Sequence, residues 1–453
     1  MDVKTISREF IKPSSPTPNH LRTYKISLLD QFAPPVFFPY LVFHQAKQAA
    51  SVTQTSQLLK NSLSKTLSFY FPLAGRAIDN LSIDCNDEGA CYINARVNCS
   101  LWDYLKQPVI SDLLKFLPDV VYSEVKPGGP VAVIQETVFS CGGIAIVLVV
   151  PHTIFDAACL IIFMRTWAAI ARGSNGDERV PSPNFTASSI FPQTSSFPQE
   201  VTAAALASAL DKKNADVVVR RFVFDGSVVA DLKAKAMRSG VQNPTRAEVV
   251  FAFLLKCLMS ALKAKSGGHQ KAMLVTQAVN MRRKAVPAFS ETSVGNFIWV
   301  AAMLCQVEET EWSSYVRQMR EAMSPVNGEL LKRLQGDGGL ETLSKATKEL
   351  GESLSKALSN GAEQIGFNSF CNIGVYDADF GWGKPIWIPS FIWAVTRPFF
   401  SIHFLDTKHG SGIEAWLGLD EQFMNLLEQD RELLSLASLD PSPLEIGLLR
   451  SNL

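Results

Sequence analysis

Residues 144–150, IAIVLVV, are seven consecutive apolar side chains rich in Val and Ile. The run is far too short to span a bilayer, which takes about 20 residues. It is apolar on both faces, so as a strand it must be covered on both sides. It predicts an interior strand of a sheet. Residues 156–172 follow and are apolar nearly all round, with Gly173 placed to stop a helix. Between strand and helix stands His152-Thr153-Ile154-Phe155-Asp156. A chain with this strand–turn–helix at its centre belongs among layered α/β folds.

The rest of the chain is read by the same rules. Apolar residues at helical spacing predict a helix over 56–70, ended by Pro72 and Gly75. Residues 78–85 and 91–97, joined by Asn-Asp-Glu-Gly, predict a hairpin. Strands are expected over 131–139, 217–224, 272–279 and 297–306. Helices are expected over 245–263 and 420–436, and across most of 308–358 with a Gly-rich break at 336–339. From 173 to 214 the composition turns to Ser, Thr, Pro and charge, which reads as a long connection. We therefore expect two α/β domains, 1–175 and 215–453, joined by a loop over 176–214.

Composition removes several function classes. Lys plus Arg and Asp plus Glu each number 43, so the formal net charge is zero and a nucleic-acid partner is not expected. The eight cysteines form no CxxC pair, and the six histidines show no HExxH or other paired metal spacing, so no metal is expected. The N-terminal segment is charged and lacks a signal-peptide core. A cytosolic location without membrane attachment is the expectation. No GxSxG elbow and no phosphate-binding GxxxxGK[ST] loop occurs. Cys159 lies among Leu160 and Ile161, as a core thiol would, and His403 sits in an apolar, strand-like run.

Two motifs carry chemistry. His152 follows the end of a buried strand, where α/β proteins place reactive groups. Its reference pKa near 6.5 lets it take a proton from a hydroxyl, provided an acid or carbonyl group orients the ring. The plain alternative is a hydrogen-bonded, semi-buried histidine, with Asp156 serving only as a helix N-cap. The second motif is Asp379-Phe380-Gly381-Trp382-Gly383, followed by Lys384 and Pro385. Its glycines suggest a tight turn around a tryptophan; its alternative is an ordinary loop with an aromatic plug.

HTIFD and DFGWG, in this order and half a chain apart, resemble the plant BAHD acyltransferases. FYFPLAGR from Phe69, IDCND from Ile83, CGG from Cys141, RFVFD from Arg221, QAVNMR from Gln277 and Gly295-Asn296 extend the resemblance over nearly the whole chain. Within that family the chain is most similar to the group containing vinorine synthase and salutaridinol acetyltransferase, which acetylate alkaloid hydroxyls. The resemblance implies two similar-sized chloramphenicol-acetyltransferase-like domains with mixed sheets. A crossover loop joins them and an active-site channel runs between them. A segment around 372–400 is expected to pack with the N-terminal domain.

The resemblance also implies roles. His152 would be the general base that deprotonates the acceptor hydroxyl. Asp156 would point away and orient the site through Arg282. Asp379, Gly381, Trp382 and Gly383 would shape the channel wall, with a direct proton role for Asp379 left open. Acyl-CoA, most simply acetyl-CoA, would be a co-substrate with no permanent cofactor. Arg283 and Lys284 are candidates for its phosphates, with a solvated turn as the alternative. Phe155 stands where relatives often carry a small residue and would narrow the acceptor pocket. Asn372 stands where relatives commonly carry an arginine that grips acidic acceptors, which argues for a neutral acceptor. The expected function is acylation of a bulky, neutral terpenoid or alkaloid alcohol by a monomer. Transfer to an amine or phenylpropanoid acceptor is one alternative. A non-catalytic binding protein of the same fold is another, although loss of His152 would have been its signature.

Overall fold

A computed structural model describes residues 1–45, 51–173, 180–198, 217–305, 311–390 and 400–446. Two large mixed sheets organise them. The first has five strands in the order Val3–Ile11, Ala90–Val97, Val133–Val138, Ile144–Pro151 and Phe37–His44. Only the pairing of Ala90–Val97 with Val133–Val138 is parallel. The second has seven strands in the order Ile298–Cys305, Met273–Asn280, Glu363–Ser369, Ser401–Asp406, Ile413–Asp420, Val217–Phe224 and Ser438–Leu439. A three-stranded sheet of Thr23–Lys25, Ser82–Asp84 and Arg76–Ala77 stands beside them.

The central apolar run behaves as its composition demands. All eight residues of Ile144–Pro151 are buried, and the strand has a partner on each side. The helix Ala157–Arg172 buries Leu160, Ile161, Phe163, Met164 and Trp167. Burial of each such side chain contributes about 1.5–3 kcal/mol. Asp156 caps the helix start by accepting from the Cys159 N–H (3.0 Å), and Gly173 ends it in the left-handed region at φ +73°. Capping boxes open three more helices, Ser27 with Asp30, Ser51 with Gln54 and Thr245 with Glu248.

Some expectations fail for physical reasons. Residues 78–85 and 91–97 do not form a hairpin: Ser82–Asp84 joins the small sheet, whereas Ala90–Val97 pairs with Val3–Ile11 and Val133–Val138. The late helix over 420–436 is two helices, Glu421–Glu428 and Arg431–Leu436, because Asp430 leaves the helix and caps the second one through the N–H groups of Glu432 and Leu433. The described part of 308–358, by contrast, is mostly helical as expected, in Ser314–Met323, Gly328–Leu334 and Gly339–Ser359, with a break at the expected glycines. Of the expected loop over 176–214, residues 176–179 and 199–214 lie outside the described residues.

Three apolar clusters matter for the site. One fills the first sheet and includes Val375, Phe380, Trp382, Ile386 and Trp387 from late in the chain. Phe43 and Trp387 pair as an isolated bridge, and the Tyr40 hydroxyl donates to the Val375 carbonyl (2.9 Å). A second cluster fills the other sheet. A third joins Leu28, Leu29 and Phe32, next to the first sheet, with Val279, Phe297 and Trp299 of the second. It brings the short helix Leu28–Phe32 onto the loop before Ile298–Cys305.

Candidate active site

His152 sits one residue beyond the strand Ile144–Pro151, and its N–H donates to the Val36 carbonyl (2.9 Å), extending the ladder with the neighbouring strand. Its ring stacks on Phe38, with centroids 4.4 Å apart and planes at 26°. The residue is half-buried. Burial lowers its pKa below the ordinary histidine value, outweighing the opposing pull of Asp156 and Asn296. The ring is therefore neutral near pH 7, the state a base requires.

The orienting group is an amide. Nδ1 of His152 lies 3.0 Å from Oδ1 of Asn296. The amide's orientation follows from its other bonds: Nδ2 donates to the His152 carbonyl (2.6 Å) and to Oδ1 of Asp30 (2.9 Å). Oδ1 is then the acceptor, Nδ1 carries the hydrogen, and Nε2 holds the free lone pair. Neither Asn296 nor Asp30 was a sequence-predicted site residue. Asn296 lay within the family resemblance, and Ser27 with Asp30 carried a Ser-x-x-Asp capping signature; nothing local connected either with His152.

Asp156 and Arg282 meet behind the site. Arg282 is fully buried and donates Nη1 to Oδ2 (2.6 Å) and Nη2 to Oδ1 (3.1 Å) of Asp156. Nη2 also donates to the carbonyls of Ser293 (2.9 Å) and Gly295 (3.0 Å), and the Phe297 N–H reaches Oδ2 of Asp156 (3.2 Å). Burial pushes the Asp156 carboxyl up, but the Arg282 charge and these hydrogen bonds hold it below the ordinary range. The pair ties the His152 turn to the loop that presents Asn296. Cys159 lies in the same pocket, and burial raises its thiol pKa, so it is no nucleophile at neutral pH.

Asp379 is elsewhere. Its Oδ1 accepts from the N–H groups of Gly381 (2.8 Å) and Gly383 (2.9 Å), closing a turn in which both glycines hold positive φ. The Arg172 guanidinium donates to its carbonyl (3.4 Å), so it meets the last residue of the helix Ala157–Arg172, whereas His152 precedes the first turn. Sixteen helical residues span about 24 Å. The geometry gives Asp379 a turn-bracing place at the far end of that helix from His152. Trp382 is buried, stacked on Phe380 at 5.4 Å and edge-on to His44 at 6.2 Å.

One further expectation is corrected, that for Phe155. Phe155 is 1% exposed and packs against Tyr70 and Phe163, which places it in the core rather than at an acceptor surface. Asn372 is exposed, accepts from Nη2 of Arg246 (2.6 Å) and donates its N–H to Asp406 (2.7 Å), so it is a turn residue beside an ion pair. Arg283 and Lys284 are exposed on the turn that carries Arg282, and Arg283 is already paired with Glu291 (2.7 Å). Among the described residues no group of three or more His, Cys, Asp and Glu could hold a metal ion, and no helix is long and apolar enough to cross a membrane.

A family model described as the Transferase family matches residues 1–434. A limonoid 7-O-acetyltransferase of Citrus sinensis is 44% identical, covering 98% of this chain and 100% of its own. An epi-neemfruitin B 7-O-acetyltransferase of Melia azedarach is 42% identical with the same coverage. The crystal structure of vinorine synthase aligns with a TM-score of 0.78 at 31% identity, over 96% of this chain and 99% of that one. TRI101 of F. sporotrichioides, in a structure complexed with coenzyme A and T-2, shares the fold with a TM-score of 0.64 at 18% identity, over 92% of this chain and 99% of that one.

Proposed function

This chain belongs to the transferase family of BAHD acyltransferases, and from that membership we propose that it moves an acetyl group from acetyl-CoA to a hydroxyl of a neutral polycyclic terpenoid of the limonoid class. The observation that carries the chemistry is the Asn296 amide on Nδ1 of His152, which leaves Nε2 as the proton acceptor.

Nε2 of His152 removes the proton of the acceptor hydroxyl as its oxygen attacks the thioester carbonyl. The tetrahedral intermediate collapses, the carbon–sulfur bond breaks, and the imidazolium returns the proton to the departing thiolate. Ester and coenzyme A thiol leave, and no acyl-enzyme forms. Acid–base help of this kind contributes about 10²–10⁴ in rate. The limonoid acceptor is supported by two relatives above 40% identity from two plants. With Asn372 engaged by Arg246, the neutrality of the acceptor rests on those relatives rather than on that position. An amine acceptor is the second reading, favoured by a 34% identical relative of Strychnos nux-vomica named as an N-malonyltransferase.

The test is release of coenzyme A thiol from acetyl-CoA by purified protein, across limonoid, other terpenoid and alkaloid alcohols and matching amines. Turnover with a limonoid alcohol that falls about 10²–10⁴-fold in His152→Ala supports the proposal. Turnover that survives the substitution, or no turnover with any acceptor despite bound acetyl-CoA, defeats it.

A further inference from the structure

A neutral histidine has two tautomers, and only the one protonated on Nδ1 leaves Nε2 as a base. Asn296 makes that choice, but an amide can present either end. Turned over, it would set its NH2 against Nδ1 and select the tautomer in which Nε2 is already protonated. Something must hold the amide one way round.

The structure supplies a carboxylate for it. Asp30 is 0% exposed. Its Oδ1 accepts from both the Asn296 N–H (2.7 Å) and Asn296 Nδ2 (2.9 Å). Its Oδ2 accepts from the Ser27 N–H (2.8 Å) and the Ser27 hydroxyl (2.7 Å). Both carboxylate oxygens are thus fixed, and an ionised carboxylate only accepts. Turning the amide would place its oxygen against Oδ1 of Asp30 and against the His152 carbonyl. Gly295, just before Asn296, holds φ +133°, a conformation that side-chain-bearing residues rarely adopt, and a Cβ there would lie 3.2 Å from the Ala187 Cβ.

We propose that Asp30 is a positioning residue that locks the Asn296 amide and thereby holds His152 in the tautomer with Nε2 free. The proposal rests on His152 being the base in the function above. The bland account, a capping box for the helix Leu28–Phe32, explains only half of the contacts. It uses Oδ2 and Ser27; it leaves unexplained why Oδ1 faces Asn296, 266 residues away in sequence, rather than water. Burial pushes the Asp30 pKa up to about 6, which still leaves it ionised near neutral pH.

The experiment compares wild type, Asp30→Asn and His152→Ala protein labelled with 15N in histidine. Proton–nitrogen correlation across the imidazole ring reports the tautomer, and the signal missing from His152→Ala identifies residue 152. Wild type is expected to show hydrogen on Nδ1; Asp30→Asn is expected to show a mixture. Its kcat should fall about tenfold or more with the KM for acetyl-CoA changed less than about twofold. A folded Asp30→Asn protein with wild-type tautomer and kcat overturns the proposal. If that variant does not fold, Asp30→Glu decides, since it keeps a carboxylate but moves its oxygens off the Asn296 amide; an unchanged tautomer there overturns the proposal too. Failure of the acetyl-transfer reading would appear as no turnover by wild type, while the tautomer measurement would still stand on its own.

Discussion

The side chains of the site differ in what holds them. Asp156 and Arg282 form a bidentate ion pair, with Arg282 0% exposed. Such a pair adds little net stability, but removing one partner strands a buried charge at a cost of about 3–5 kcal/mol. Arg282→Met should therefore lower the unfolding free energy by about 3–5 kcal/mol in urea. Asp156→Asn combined with Arg282→Met should cost clearly less than the sum of the two single changes, because the stranded carboxylate is gone. Strict additivity would show that the pair is not coupled. These two residues were legible in sequence because each sits in a compact motif, HTIFD and QAVNMR. Asn296 and Asp30 were not, because their link to His152 exists only after the third apolar cluster brings helix and loop together. Phe155 misled for the converse reason. Adjacency to a site residue says nothing about which way a side chain turns, and this one turns to Tyr70.

At the scale of elements, the legible ones declared themselves through burial on every side or through strong stop signals. Ile144–Pro151 and Ala157–Arg172 are both of this kind. Val3–Ile11 was missed because it is a mostly exposed edge strand, with no apolar stripe to betray its period. The false hairpin came from a good turn between two strands that pair elsewhere; turn chemistry sets local direction, and the sheet edge that buries more decides the partner. The DFGWG loop is an element in its own right, built on one carboxylate and two amides. Asp379→Ala should remove that brace and lower stability by about 1–3 kcal/mol, read as a fall in Tm. Its kcat per folded molecule should drop at least about tenfold less than that of His152→Ala. A fully folded Asp379→Ala protein as inactive as His152→Ala would assign Asp379 a proton role in place of the bracing one.

Across the whole molecule, each large sheet carries a buried histidine that the chemistry does not use. His44 ends a strand of the first sheet and is 0% exposed against Phe380 and Trp382; His403 lies in the second sheet and is 7% exposed. Burial lowers the pKa of His44 to about 4 and that of His403 to about 3. An unfolded histidine titrates near 6.5. Between that value and the folded one the unfolded chain binds a proton that the folded chain refuses, so stability is lost as pH falls below about 6.5. Each histidine contributes a slope of about 1.4 kcal/mol per pH unit in that window. Buried carboxyls oppose this. Burial raises Asp30 to about 6 and raises Glu136 and Glu414 as well, so the folded state gains protons there as pH falls. The net curve therefore mixes signs, and a difference between two proteins isolates one group. His44→Leu removes the penalty of one histidine and leaves the opposing carboxyls in place. Its stability relative to wild type should rise by on the order of 2 kcal/mol between pH 7 and pH 5, measured by urea unfolding at each pH. A difference that stays constant over that range would mean that His44 titrates in the folded protein as it does in the unfolded chain, and that the aromatic wall of Phe380 and Trp382 does not exclude its charge.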